Sequence, residues 1–328
     1  MLDAIQDPRI QQVITLPEAQ NEDWKKDLER LKAGDVTLDR KTAGENSIQA
    51  VQRLLIFLGY STASRGGFLI DGDFGRGTNR GVAQFQMEHG LNPAITRKIL
   101  CYDCTWSNAH HRITTIPDTL LDIPTLEKML AVAQENIENK HLSCGDFDEA
   151  IFQLNSIHRR SFFTCKEIAG RYMEAVEKAV KRLKDEKGFT VNPIWLLTIM
   201  KQETAGVIRP RFEQHYLSRL NAADGQEAFD ELRYRSMSFG LGQIMGENFQ
   251  KAGAPSARSM FISPVDEQVF YIGCFLTASP ATRAIAAKAN PTSSDFRTVA
   301  RSYNGPAYEA HRYHESIEGW HREFRSFL

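Results

Sequence analysis

One stretch constrains this chain more than any other. Ile194 to Gly206 is an almost wholly apolar helix pattern whose last turn carries a single carboxylate, Glu203. Asn192 is a favourable N-cap, Pro193 suits the first helical position, and Gly206 can close the helix. Ile194, Trp195, Leu196, Leu197, Ile199 and Met200 supply a buried face, and Glu203, one turn beyond Ile199 and Met200, shares that side. A carboxyl group at the exit of a buried helix meets both desolvation and the negative end of the helix dipole. Both disfavour its ionised form, as a general acid at neutral pH requires.

Two later segments carry polar groups suited to a saccharide. Ser238-Phe239-Gly240-Leu241-Gly242-Gln243-Ile244 combines two glycines, which let backbone approach a ligand, with an amide that both donates and accepts. Tyr303-Asn304-Gly305 adds a ring edge and a second amide. Taken alone, each segment is more often a turn or loop than a ligand site; their order and combination behind Glu203 carry the information.

Residues 191 to 328 resemble the phage-type N-acetylmuramidase family, distant relatives of goose-type lysozyme and the soluble lytic transglycosylases. The resemblance rests on Gln202-Glu203-Thr204, Arg211-Phe212-Glu213-Gln214-His215, Ser238 to Gly246, and Ala300 to Pro306. It implies that Glu203 protonates the glycosidic oxygen between N-acetylmuramic acid and N-acetylglucosamine, and it makes Ser238, Gly240, Gln243, Tyr303 and Asn304 candidate substrate-binding residues. Glu213 matches a second family carboxylate. Glu213 activates water, or the muramic acetamide assists, or no water enters and an anhydro sugar forms, as in a lytic transglycosylase. The chain departs from the family in having Thr204-Ala205-Gly206 where Ser-Gly-Gly-like residues are common; the acid stays in place.

Residues 47 to about 135 resemble a three-helix peptidoglycan-binding domain, on the run Ile48 to Tyr60, the Ile70-Asp71-Gly72-Asp73-Phe74-Gly75 loop with Thr78 as a cap, and Val82-Ala83-Gln84-Phe85-Gln86. Val51, Leu54, Leu55 and Leu58 form one apolar stripe, and Val82 and Phe85 continue it. The third helix fits Ile123 to Leu130, after an insertion at about 92–115. That insertion holds Cys101, Cys104, His110 and His111, a spacing open to zinc, but adjacent histidines rarely reach one metal. The expectation is thiols and surface histidines, with no metal and no cofactor.

The chain of 328 residues, with 40 basic and 41 acidic side chains, suits two globular modules and gives no cationic surface for nucleic acid or anionic membrane. Five scattered cysteines argue against a disulfide framework. The first 46 residues lack the apolar core of a signal peptide, and no run is long enough to insert in a membrane. Synthesis in the cytoplasm is expected, with action in the periplasm or cell wall after holin release or injection. The expected partners are bacterial peptidoglycan and, for an injected effector, secretion machinery and an immunity protein.

The expected architecture is mainly α: an N-terminal segment (1–46), the interrupted binding domain (47–135) and a helical, lysozyme-like catalytic domain (145–328). Ile168, Tyr172, Val176, Val180 and Leu183 mark one face of an early catalytic-domain helix. His311, His314, Glu315, Glu318 and His321 read as a solvated helix side; Trp195 and Trp320 read as core, and Tyr303 and Tyr308 as rings able to stack on a sugar. A non-catalytic wall binder would not need Glu203 beside Gln243 and Tyr303. A peptidase would need a zinc triad or a Cys-His pair, for which only the Cys101–His111 cluster is available.

Overall fold

The computed structural model describes residues 2–16, 22–38, 42–63, 68–91, 119–139, 147–159, 162–208, 211–212, 229–261 and 263–328. The chain is mainly α and divides into two compact units: residues 1–160 with 210–238, and residues 161–209 with 239–328.

The first unit is built around α3 (Glu45–Phe57). α1 (Pro8–Ile14) and α2 (Glu22–Lys32) pack against it, so residues ahead of 47 share its core. The α2 carboxylate of Asp27 accepts from Gly44 N at 3.1 Å and Ser47 Oγ at 2.6 Å, covering the start of α3 where Gly44 offers no side chain. Arg53, fully buried, donates to Val13 O at 2.5 Å and Gln12 O at 3.3 Å, the open carbonyls at the end of α1, and to Asn155 Oδ1 at 3.1 Å in α6 (Phe147–Arg159). Burial lowers its pKa to about 10.

α4 (Arg76–Glu88) and α5 (Ile123–Glu138) complete the expected three-helix set, with Val82, Phe85, Met129 and Ala133 fully buried. Asp122 caps α5 through Thr125 N at 3.0 Å. The loop before α4 is held by one buried amide: Gln52 Nε2 donates to Asp71 Oδ1 (2.8 Å) and Asp73 O (3.1 Å), and its Oε1 accepts from Asp71 N and Gly72 N (3.0 Å each). Thr78 is not the cap. α4 begins two residues earlier, and the Thr78 hydroxyl donates to Asp73 O at 2.9 Å. The insertion, with Cys101, Cys104, His110 and His111, lies outside the described residues.

The remainder of the first unit is an arm. Strand β1 (Arg211–Phe212) pairs antiparallel with β2 (Met237–Phe239) in the register Arg211↔Ser238 and Phe212↔Met237, and α9 (Phe229–Arg235) leads into β2.

The second unit opens with α7 (Cys165–Lys187), whose Thr164–Glu167 capping box and left-handed Gly188 (φ 70°) set its two ends. Ile168, Tyr172, Val176 and Leu183 are buried as expected, but Ala179 fills the stripe where Val180 was expected. α8 (Pro193–Thr204) starts at Asn192, whose Oδ1 accepts from Ile194 N at 3.0 Å. It packs against α7 and α15 (Tyr313–Arg325), and Trp195, Leu196, Leu197, Ile199 and Met200 have no exposed surface. After β3 (Ile244–Met245) come α10 (Phe249–Ala252), α11 (Ala257–Phe261), α12 (Val265–Leu276), α13 (Pro280–Ala286) and α14 (Ser293–Tyr303). Among the described residues no single helix is long and apolar enough to cross a membrane.

The solvated reading of α15 needs correction. His314, Ile317, His321 and Phe324 follow helical spacing on one buried face, because α8 and α14 pack there. His311 and Glu315 are exposed.

Candidate active site

Glu203 stands in the last turn of α8, half-buried. The helix is closed by Ala205 in the left-handed region (φ 50°), followed by Gly206 (φ 81°). Gly206 is required here, since a Cβ would lie 2.7 Å from Phe163 and 2.9 Å from Ile168. Its carbonyl accepts from Tyr172 OH at 2.7 Å, and Phe163 N donates to Ala205 O at 3.0 Å, so α7 and the residues before it hold the chain as it leaves the acid.

Two side chains to which the sequence assigns no role complete the surroundings. Tyr313, buried at the start of α15, donates its phenol to Glu203 Oε1. Burial, reinforced by the Glu203 carboxylate, holds that phenol far above its ordinary pKa, so it is a neutral donor. Thr204, fully buried, lies within 3.0 Å of both Met200 O and Leu241 O and accepts from Gly206 N at 3.3 Å. Its hydroxyl ties the acid's helix to the Gly240–Gln243 turn.

That turn is held from three sides. Gly240 (φ 64°) backs onto Gln268, whose Oε1 accepts from Leu241 N at 3.3 Å while its Nε2 donates to Ser263 O at 2.9 Å. Tyr303 OH donates to Gly242 O at 2.8 Å, and its ring meets Phe275 edge-on at 5.1 Å. Burial and the charge of Glu203 keep the Tyr303 phenol protonated too. Gln243 adopts a left-handed conformation (φ 46°), uncommon outside glycine, with Nε2 on Gly240 O at 3.2 Å.

The structure therefore gathers Glu203, Gly240, Gln243 and Tyr303 within the second unit, linked through Thr204 and Tyr313. Asn304 is exposed at the end of α14, where its backbone N–H donates to Ala300 O at 2.9 Å. Ser238 is buried in β2 opposite Arg211, in the first unit. Glu213 lies outside the described residues. Tyr308 is not a free ring: it is buried against His314, and its hydroxyl donates to Glu309 Oε1 at 2.8 Å. Trp320 is half-buried rather than core; its Nε1 donates to Gln202 Oε1 at 3.1 Å, and Lys201 Nζ sits 5.0 Å from its ring. Among the described residues no cluster of His, Cys, Asp or Glu is placed to hold a metal.

The sequence profile of the N-acetylmuramidase family matches residues 198–325, and that of a peptidoglycan binding domain matches residues 44–93. Comparison with curated proteins gives no match. Among solved structures, the Burkholderia AP3 phage endolysin aligns at 17% identity over 85% of this chain and 94% of its own, with a TM-score of 0.37. Residues 198–325 are an N-acetylmuramidase domain and residues 44–93 a peptidoglycan-binding domain, and the chain is a glycoside hydrolase of peptidoglycan.

Proposed function

We propose that this muramidase cuts the β-1,4 bond after N-acetylmuramic acid by hydrolysis, with Glu203 as the general acid. The observation that carries the reading is the setting of Glu203: it stands half-buried, beside the Tyr313 phenol, at the exit of a helix whose residues Trp195 to Met200 are buried, and Thr204 next to it ties that exit to a glycine-rich turn. Glu203 gives its proton to the leaving oxygen as oxocarbenium character develops at the muramic acid. Gln243, Tyr303, Asn304, Ser238 and the backbone at Gly240 contact the sugars, and Glu213 activates the water. The binding domain (47–135) holds the wall and raises the local concentration of glycan at the catalytic domain (145–328).

The test is the product. Digested peptidoglycan should give muropeptides ending in reducing N-acetylmuramic acid, and Glu203→Gln, nearly isosteric but unable to donate an acidic proton, should abolish clearing while preserving the fold. Anhydro termini as the main product would replace hydrolysis by transglycosylation, reducing N-acetylglucosamine ends would move the cut to the other bond, and an active Glu203→Gln would remove the acid from its role. The action belongs to the periplasm or wall, reached through a holin lesion or by injection. Lysis that needs a co-expressed holin supports the first route; protection by the product of a neighbouring gene supports an injected effector with an immunity partner.

A further inference from the structure

Arg211–Phe212 and residues 229–238 lie inside the span matched by the N-acetylmuramidase profile, yet they belong to the first unit. A buried charge cluster holds α9 there. The Arg233 side chain is 4% exposed and that of Glu88, at the end of α4 in the peptidoglycan-binding domain, is 8% exposed. The guanidinium grips both carboxylate oxygens, through Nε to Oε1 and through Nη2 to Oε2 at 3.0 Å. Nη1 donates to Gly59 O at 3.1 Å, and the rings of Tyr60 and Tyr234 lie 4.5 and 4.3 Å from the guanidinium carbon. Tyr60 OH completes the cluster by donating to Glu88 Oε2 at 2.6 Å.

A buried ion pair is favourable only when its remaining hydrogen-bonding capacity is met, and the carbonyl of Gly59 and the phenol of Tyr60 meet it here. The other end of Arg233 is equally committed. Its carbonyl accepts from Ser236 N at 3.1 Å and Ser236 Oγ at 2.7 Å, the turn that sends the chain into β2. β2 runs without a break into Gly240, so only a few residues of chain separate the cluster from the turn that braces Glu203.

We propose that Arg233 is a positioning residue for glycan cleavage: Glu88, Gly59 and Tyr60 of the peptidoglycan-binding fold fix the arm that delivers the 238–243 motif, so that cutting even short glycans depends on a contact made within the wall-binding module. The proposal rests on the muramidase reading above and adds that the binding module serves the chemical step as well as wall capture.

The test uses the full chain. Arg233→Lys keeps the charge but loses the planar fork, and Arg233→Met combined with Glu88→Met removes both charges, leaving neither one buried alone. On a short soluble glycan both variants should lower kcat by about tenfold or more, since small misplacements near the chemistry are costly, with KM held within about threefold. In the Glu203→Gln background both should bind isolated wall within about twofold of the parent. Hydrogen exchange of amides 236–243 should quicken by about tenfold or more while α8 stays protected. Variants that fold, cleave at the parental rate and exchange at the parental rate would overturn the proposal. A parent chain that leaves glycans uncut would defeat the muramidase reading, and the exchange measurement would still decide whether Arg233 holds the motif.

Discussion

Thr204→Val is the most pointed perturbation of the site, because valine matches threonine in shape and deletes only the hydroxyl. That hydroxyl lies within 3.0 Å of Met200 O and Leu241 O and accepts from Gly206 N at 3.3 Å, with no exposed surface. One donated and one accepted bond are lost, at about 1 kcal/mol net each, and a buried carbonyl left unsatisfied brings the cost to about 2–3 kcal/mol. For a protein of this size that lowers Tm by roughly 3–4 °C. The functional effect should exceed the thermal one. Without the tether from Leu241 the 240–243 turn shifts against Glu203, and a displacement of about 1 Å can lower kcat by roughly 100-fold. Thermal denaturation and steady-state cleavage of soluble glycan fragments measure the two effects. Thr204→Ser, which loses only a methyl group at about 1 kcal/mol, should keep kcat within about threefold of the parent. If the valine variant melts and cleaves like the parent, or the serine variant is as slow as the valine one, the tether has no catalytic role.

Gly242→Ala would place a Cβ 2.6 Å from Tyr303 OH and 2.5 Å from Ile272 Cγ1; this overpacking costs about 1–3 kcal/mol and should break the Tyr303–Gly242 bond, so an active variant of unchanged Tm would show that the turn has slack. The pKa of His321 is lowered to about 4 by burial, with a further contribution from Arg325, so the folded chain keeps it neutral while the unfolded chain takes up a proton. Stability from this residue is present above pH 6.5 and lost as pH falls toward 4; the Tm of His321→Leu should fall less steeply over that window, and parallel curves would remove His321 from the acid response.

The legible parts of this fold were those carried by local pattern. Asn192-Pro193 followed by Ile194 to Met200 announces a capped, buried helix before any partner is known, and Glu203 at its exit stands out because nothing else in that helix is acidic. The helix expected from Ile123 to Leu130 is legible for the same reason, since α5 carries its own cap and apolar spacing. Pairings made across the chain left no local trace. Tyr313 meets Glu203 from 110 residues away, and Arg233 meets Glu88 from 145. Neither tyrosine nor arginine advertises its partner. His314 and His321 look solvated in the sequence because charged neighbours on α15 mask a stripe completed by Ile317 and Phe324. In the sequence Thr204 stands out only as a departure from the family, yet its hydroxyl does what a serine there could do.

The division of the chain into 1–160 with 210–238 and 161–209 with 239–328 means that the polypeptide passes between its two units three times. During synthesis the first unit therefore waits for its last piece. Arg233 follows Glu88 by 145 positions, and at about 5–20 residues per second the Glu88 carboxylate stands without it for roughly 7–29 s. The same threading rules out recombination at a single junction. A chimera that exchanges everything after residue 160 takes Glu88 from one parent and Arg233 from the other, and only parents that share both ends of the pair give a closed first unit.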